Sequence, residues 1–404
     1  MGETFKALCP EQILDVVQWA VAKEQAVDVR GLATKRDYGC PPSSDVNVLD
    51  ISGVSGIDLY EPGELVMSAA AATPMSEILA ALDEHKQWLS FEPPNLGPLL
   101  GSGVCAGSIG GVIACNLAGS RRVASGSARD HILGFHAISG RGEKFKSGGR
   151  VVKNVTGFDL SKLMAGSFGT LGVMSDVTFR VLPRPEKSRT VLVMTKDSAC
   201  GIKALTSALQ SSCEVSAAAH LPFDITTESV VPYVAGAQSA LSAIRVEGPG
   251  PSVEYRTNIL RQLLSEFGDT EELDTSNTIT FWREVCDVNY FVLGREQIWR
   301  LSVPPADGAK VAQKILDSIG GRVFFDWGGG LIWLAIEERP DGAHRQVRNA
   351  LKKSGGHATL LRAAAEVRSR VPVFQPQADA QVRISARVKN SFDPKGLLCP
   401  GRMI

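Results

Sequence analysis

The stretch Ser108-Ile109-Gly110-Gly111-Val112-Ile113-Ala114-Cys115-Asn116-Leu117-Ala118-Gly119 decides the fold, together with Gly166-Ser167-Phe168-Gly169-Thr170-Leu171-Gly172-Val173 further on. Both pieces set small residues among Val, Ile, Leu and Phe. Of the 40 glycines, 17 fall within residues 97–176. Glycine is costly inside helices and strands, so this density marks backbone that turns tightly or comes close to a ligand. A flexible linker would be polar, and the apolar interleaving favours a ligand cradle instead. The second piece runs directly into the alternating run Gly172 to Leu182 (GVMSDVTFRVL), which predicts a strand. Pro183-Arg184-Pro185 ends it and sets a domain boundary.

Outward from there, the first ninety residues alternate between helix and strand. Pro10 suits the first turn of a helix, and Ile13, Leu14, Val17 and Val21 follow at helical spacing. Val27-Asp28-Val29, Val46 to Ile51 and Leu65 to Ala71 are predicted strands. Thr73-Pro74 opens a helix whose apolar face is Ile78, Leu79 and Leu82. Beyond the boundary, strands are predicted at 190–195, 214–219, 297–303, 322–326 and 331–336. Helices are predicted at 199–211, 253–267, 308–319 and 343–354, which makes a second layered α/β structure. Ala378 to Val388 reads as a helix, followed by Pro394, Pro400 and Gly401. No fixed-period repeat is present.

The 404 residues include 43 Lys plus Arg and 43 Asp plus Glu, so the formal net charge is zero. That removes the electrostatic argument for a nucleic-acid or acidic-membrane partner. A 44% hydrophobic content is enough to build a core. No apolar run approaches the length of a membrane span, and the N-terminus lacks the pattern of a signal peptide. The expectation is a cytoplasmic protein, with any membrane contact made at the inner face through partners or a surface patch. Eight cysteines show no CxxC pair, which argues against a zinc ribbon or an iron–sulfur cluster and for free thiols.

The loop Arg30-Gly31-Leu32-Ala33-Thr34-Lys35-Arg36-Asp37-Tyr38-Gly39 follows a predicted strand. Backbone N–H groups, a hydroxyl and a cation together suit a diphosphate, although taken alone the loop reads better as a surface turn. Neither GxxxxGK[ST] nor GxGxxG is present. Three glycine-rich segments in one mixed α/β domain would let a long cofactor lie across them, and a dinucleotide with a large planar ring meets that requirement.

The run Ser108 to Gly134 (SIGGVIACNLAGSRRVASGSARDHILG), then Gly148 to Pro185, then the tail Phe392-Asp393-Pro394-Lys395-Gly396-Leu397-Leu398-Cys399-Pro400-Gly401-Arg402-Met403, together carry a resemblance. The chain resembles the PCMH-type, or vanillyl-alcohol-oxidase, flavoprotein superfamily, and within it the FAD-binding subunits of bacterial glycolate oxidases. The resemblance implies an α+β protein. A PCMH-type FAD-binding domain of two α/β subdomains would span 1–185, an α/β cap domain 186–375, and a segment returning to the FAD domain 376–404. It implies non-covalent FAD held by Arg30, Gly31, Leu32, Ala33, Thr34, Lys35, Asp37 and Gly39 at the pyrophosphate. It adds Pro93, Ser108, Ile109, Gly110, Gly111, Asn116 and Gly119 along the diphosphate and ribityl chain, and Gly169, Gly172 and Val173 toward the nucleotide end. Two departures stand out. Leu32-Ala33 occupies positions where relatives commonly carry glycine, and Cys399 replaces an asparagine of the tail.

Oxidising a 2-hydroxy acid needs a cation for the carboxylate, a base or metal for the hydroxyl proton, and the flavin for the hydride. The six histidines, at 85, 131, 136, 220, 344 and 357, form no HxH, HxxxH or HxxE pattern. His131 and His136 are expected within one strand, as structural residues. Arg121-Arg122 is open to two readings, an anion contact or a surface pair. Lys153, Asn154 and Asp159 read as packing near the flavin. Trp282, Trp299, Trp327 and Trp333 read first as core. No catalytic residue is assigned and no metal site is expected. By resemblance the chain is a glycolate oxidase subunit that works with a catalytic flavin subunit and an iron–sulfur subunit on a small 2-hydroxy acid. The alternatives are a self-sufficient FAD-linked dehydrogenase of the D-lactate type and a flavin-free scaffold.

Overall fold

The computed structural model describes residues 2–42, 45–103, 105, 107–150 and 157–403. The chain forms two units. The first comprises Met1–Ala118, Gly126–Arg184 and Pro376–Ile404; the second comprises Gly119–Ser125 and Pro185–Gln375.

The first unit holds two main sheets. One is three-stranded and parallel, in the order Thr4–Lys6, Asn47–Asp50, Val27–Arg30. The helix Pro10–Lys23 accompanies it, burying Ile13, Val17 and Ala20, with Pro10 in its first turn and Glu24 left-handed at its end. The tail lengthens this sheet. Leu398 lies parallel beside Val27, the Val27 amide donates to Leu397 at 2.8 Å, and the Cys399 amide donates back to Val27 at 2.8 Å. The second sheet is antiparallel, in the order Ile57–Glu61, Val66–Ala70, Val173–Arg180, Ile132–Ile138, Lys144–Gly148. Its central strand is the one the glycine-rich run feeds.

The expected strand through both His131 and His136 begins later than the alternation suggested. His131 ends a short helical turn, Ala128–His131, and the strand starts at Ile132. The cause is local: Asp130 accepts from the Ser127 amide and hydroxyl in a capping box, which favours a helical turn over an extended start. His136 is on the strand, but its ring is exposed and pairs with Asp176 at 2.8 Å.

The second unit is built on one eight-stranded sheet. Its order is Thr270–Leu273, Lys187–Thr195, Ala240–Gly248, Ala217–Leu221, Arg322–Asp326, Leu331–Ile336, Gln297–Ser302, His357–Arg362. Every pairing in it is antiparallel. One face carries Val191, Ile244, Trp299, Phe325 and Ile332, packed against Ile202, Leu205, Leu260, Ile315 and Val347 of four helices. Those helices are Ser198–Gln210, Gly250–Leu264, Gly308–Ile319 and His344–Leu351. The opposite face carries Thr190, Arg245, Arg300 and Trp333. There the Trp282 indole, from helix Thr275–Cys286, donates to Thr190 at 2.8 Å.

Candidate cofactor site

In the first unit, strand Val27–Arg30 ends in the loop expected to hold a diphosphate. The loop forms one wall of a cleft of about 130 Å³, and Ser108, Gly110, Gly111, Cys115, Phe168, Gly169 and Val173 contribute others. The amides of Gly31, Leu32, Ala33 and Thr34 donate to no acceptor among the described residues. Four consecutive N–H groups of this kind are what an anion-binding turn offers. Ala33 adopts φ +55°, a left-handed position held here by a residue with a methyl group.

Lys35 is buried at this loop, and its ammonium donates to the Thr34 hydroxyl at 3.2 Å. Burial pushes its pKa down, with the neighbouring Cys115 and Cys105 acting in the opposite direction. Glycines leave room for it. A Cβ at Gly107 would overlap both the Thr34 hydroxyl and the Lys35 ammonium, and Gly107 also needs φ +80°. Gly110 serves packing instead: its amide donates to Ala71 at 2.8 Å, and a Cβ there would sit 2.6 Å from that carbonyl. Ser108 caps the helix Ile109–Ala114 by accepting from the Gly111 amide.

The tail completes the cleft. The Cys399 thiol accepts from the Val29 amide at 3.4 Å. Arg402 donates to the Lys35 carbonyl at 2.9 Å and the Cys40 carbonyl at 3.2 Å, holding the loop from below. Both residues line the cleft, as do Asp28, Ile51, Ala71, Ala114, Cys115 and Phe168, which were not assigned to the cofactor individually. Arg402 was legible in the tail motif, and Ala114, Cys115 and Phe168 fall in the two glycine-rich stretches; Asp28, Ile51 and Ala71 are contributed by strand and loop geometry with no sequence signature of their own.

Among the residues expected at the cofactor, Arg30, Gly31, Leu32, Ala33, Thr34, Lys35, Ser108, Gly110, Gly111, Gly169, Gly172 and Val173 line the cleft together. Asp37, Gly39, Pro93, Ile109 and Asn116 are in the same unit but not in its lining. Asp37 is exposed. The Asn116 side chain accepts from the Arg129 amide at 2.9 Å, so it ties two local turns. Gly119 belongs to the second unit, where its carbonyl accepts from the Trp327 indole at 3.0 Å. Lys153 and Asn154 lie outside the described residues. Asp159 caps the turn Leu160–Met164, a structural role.

Residues 5–148 match the FAD binding domain family. The chain is 33% identical over 395 residues to glycolate oxidase subunit GlcE of Escherichia coli, covering 97% of both chains. The chain belongs to the GlcE family. It is also 28% identical over 181 residues to glycolate oxidase subunit GlcD of Bacillus subtilis, a match covering 42% of this chain and 37% of that one. Among solved structures, p-cresol methylhydroxylase superposes with a TM-score of 0.73 at 15% identity, over 99% of this chain and 88% of that one. Alkyldihydroxyacetonephosphate synthase superposes with a TM-score of 0.70 at 14% identity, over 98% and 76%. The fold is therefore the α+β fold of the PCMH-type flavoproteins, and the cofactor is FAD. The cleft fits it. The open amides and the buried cation suit a diphosphate.

Proposed function

We propose that this chain is the FAD-binding subunit of a glycolate oxidase complex, in which glycolate is oxidised to glyoxylate. The observation that carries the reading is the match along 97% of the chain to a glycolate oxidase subunit. In this reading a second flavin subunit supplies the acid–base residues. Electrons leave through a separate iron–sulfur subunit, in keeping with eight cysteines that show no cluster spacing. No helix among the described residues is long and apolar enough to cross a membrane. The reading places the complex in the cytoplasm, with membrane contact made through its partners.

The Gly31 to Thr34 amides and the Lys35 ammonium hold the diphosphate. Gly110 and Gly111 keep the helix close to strand and loop, and Gly169 and Val173 border the rest of the cofactor. Bound FAD supplies a two-electron acceptor for the hydride of the substrate carbon. Attachment is non-covalent. No histidine lines the cleft among the described residues, and its two thiols are held protonated. Burial raises the Cys115 pKa, and burial pushes Cys399 up to about 11. A thiol that stays protonated is a poor nucleophile.

The test is the absorption spectrum of the chain with FAD, before and after anaerobic glycolate, followed by acid precipitation. The reading expects flavin bands that persist with glycolate until partner subunits are added, and FAD released into the acid supernatant. Bands bleached by glycolate in the chain alone would overturn partner dependence. FAD retained in the pellet would overturn non-covalent binding.

A further inference from the structure

The second unit holds a hydrogen-bonded serine and histidine at the wall of an open cavity of about 1220 Å³. None of the cavity's residues lines the cofactor cleft. Strand Lys187–Thr195 ends at this cavity, and helix Ser198–Gln210 begins there, with Ser198 half-buried in the lining. The Ser198 hydroxyl is 3.2 Å from Nε2 of His220, and Nδ1 of the same ring is 3.0 Å from the Ser242 hydroxyl. Ser242 is directly opposite His220 on the neighbouring antiparallel strand, and both are fully buried. The helix comes this close because Gly201 has no side chain: a Cβ there would sit 2.2 Å from the ring. Glycine inside a helix costs about 1 kcal/mol relative to alanine, and the close approach accounts for it here.

Burial lowers the His220 pKa to about 4, with Asp197 acting the other way, so the ring is neutral near pH 7. A neutral imidazole that donates through Nδ1 to Ser242 keeps Nε2 as an acceptor for the Ser198 proton. A nucleophile, a base and a group that orients the base are thereby in contact. Two further observations point to a ligand at this wall. The Thr195 hydroxyl is buried, without a partner among the described residues, and Thr195 lines the cavity. A buried polar atom of this kind calls for a partner from outside the fold. The Ser198 and Ala199 amides, in the first turn of the helix, donate to no acceptor among the described residues. The Asp197 carboxylate takes only the next amide, that of Cys200, at 2.7 Å. Open amides at a helix N-terminus stabilise a developing oxyanion.

We infer that Ser198 is a nucleophile for the hydrolysis of small polar carboxylic esters, with His220 as its base and Ser242 orienting that base. Ser198 Oγ bonds to the ester carbonyl carbon as its proton passes to Nε2. Negative charge gathers on the carbonyl oxygen, toward the Ala199 amide. The carbon–oxygen bond to the alcohol then breaks, and Nε2 returns the proton to that oxygen. Water repeats the sequence on the acyl-serine, which releases the acid and restores Ser198. The choice of a polar ester rests on Lys196, Lys310 and Gln313 in the lining. The reaction exchanges no electrons, so it is independent of the flavin and of the proposed oxidation. A base of low basicity gives slow turnover, which makes covalent capture the sensitive readout.

The test treats the FAD-loaded full chain with a fluorophosphonate reagent, in which the attacking oxygen displaces fluoride from phosphorus. A single label is expected, located at Ser198 by mass spectrometry. Hydrolysis of para-nitrophenyl acetate is expected alongside it. Ser198→Ala is expected to abolish the label, and His220→Gln to slow labelling roughly tenfold or more, with the flavin spectrum unchanged in both. No label on the unaltered chain, or a label elsewhere with Ser198 untouched, would overturn the nucleophile and leave the proposed oxidation standing. Labelling of Ser198 at an unchanged rate in His220→Gln would overturn the histidine as its base. If His220→Gln does not fold, Ser242→Ala takes its place, and an unchanged rate there would overturn the oriented ring.

Discussion

Lys35 shows how much one residue decides in the first unit. A buried ammonium is costly to desolvate, and here burial is the leading influence on its pKa. That cost is offset when a diphosphate arrives, because a charge-assisted hydrogen bond contributes about 1.5–3 kcal/mol. Lys35→Met keeps the stem and removes the charge. FAD affinity is expected to fall roughly 10- to 100-fold, while the cofactor-free chain unfolds at the same denaturant concentration or a higher one. Fluorescence titration of FAD and a urea series measure the two; a fall in apo stability with FAD affinity intact would assign Lys35 to the scaffold. At this scale the sequence was partly legible. The loop Arg30 to Lys35 could be chosen from residue types alone. Gly107, which makes room for Lys35, could not, because its partner is some seventy positions away. Leu32-Ala33 leaves the turn intact: within Gly31–Lys35 only one position needs positive φ, and Ala33 adopts it.

Two elements are locked by buried polar groups. The first is the tail. Asp393 accepts from the Leu397 and Leu398 amides at 3.0 and 2.8 Å and from the Lys389 ammonium at 2.5 Å. Together these shape the turn that lays Leu398 beside Val27. Asp393→Ala leaves two buried donors and a cation without their acceptor, a loss of about 3 kcal/mol or more. The tail is expected to become protease-sensitive, and FAD affinity to fall with it, since Cys399 and Arg402 line the cleft. A tail that resists protease in this variant would show that the edge pairing suffices without the aspartate.

The second element joint is strand Ala217–Leu221 against helix Ser198–Gln210. His220 fills it, between Ser242 at 3.0 Å and Ser198 at 3.2 Å, where a Cβ at Gly201 would overlap the ring. Burial lowers its pKa from 6.5 to about 4. Unfolded, the imidazole takes a proton near pH 6.5; folded, only near 4. Between those values the unfolded chain binds more protons, so this contribution is complete above pH 6.5 and declines as the pH falls. At pH 5 the loss is about 2 kcal/mol relative to pH 7. His220→Gln is expected to remove that share of the pH dependence; urea midpoints at the two pH values, unchanged in their difference by the substitution, would count against it.

At the scale of the whole chain, legibility divides between the units. The strands at 322–326 and 331–336 and the helix at 308–319 were readable from period alone, and their bounds match. The strands Ala240–Gly248 and His357–Arg362 were missed, because a run of consecutive buried residues carries no alternation to read. Gly119 was read as the end of the cradle, yet Gly119–Ser125 belongs to the second unit; its assignment depends on Trp327 and Asp326, some two hundred residues away. Arg300 lies outside the lining of the cofactor cleft and serves as a control for it. FAD at a hundred times its dissociation constant should stabilise the chain by about 2.7 kcal/mol. A thirtyfold weaker site in Lys35→Met would reduce that gain to about 0.9 kcal/mol at the same FAD concentration. Arg300→Gln should leave the full gain in place, since it alters no residue of the cleft. Thermal melts of the three proteins with and without FAD check this directly. An equal FAD gain in Lys35→Met would remove the lysine from the cofactor site, and a reduced gain in Arg300→Gln would show that FAD affinity also depends on a residue outside the cleft lining.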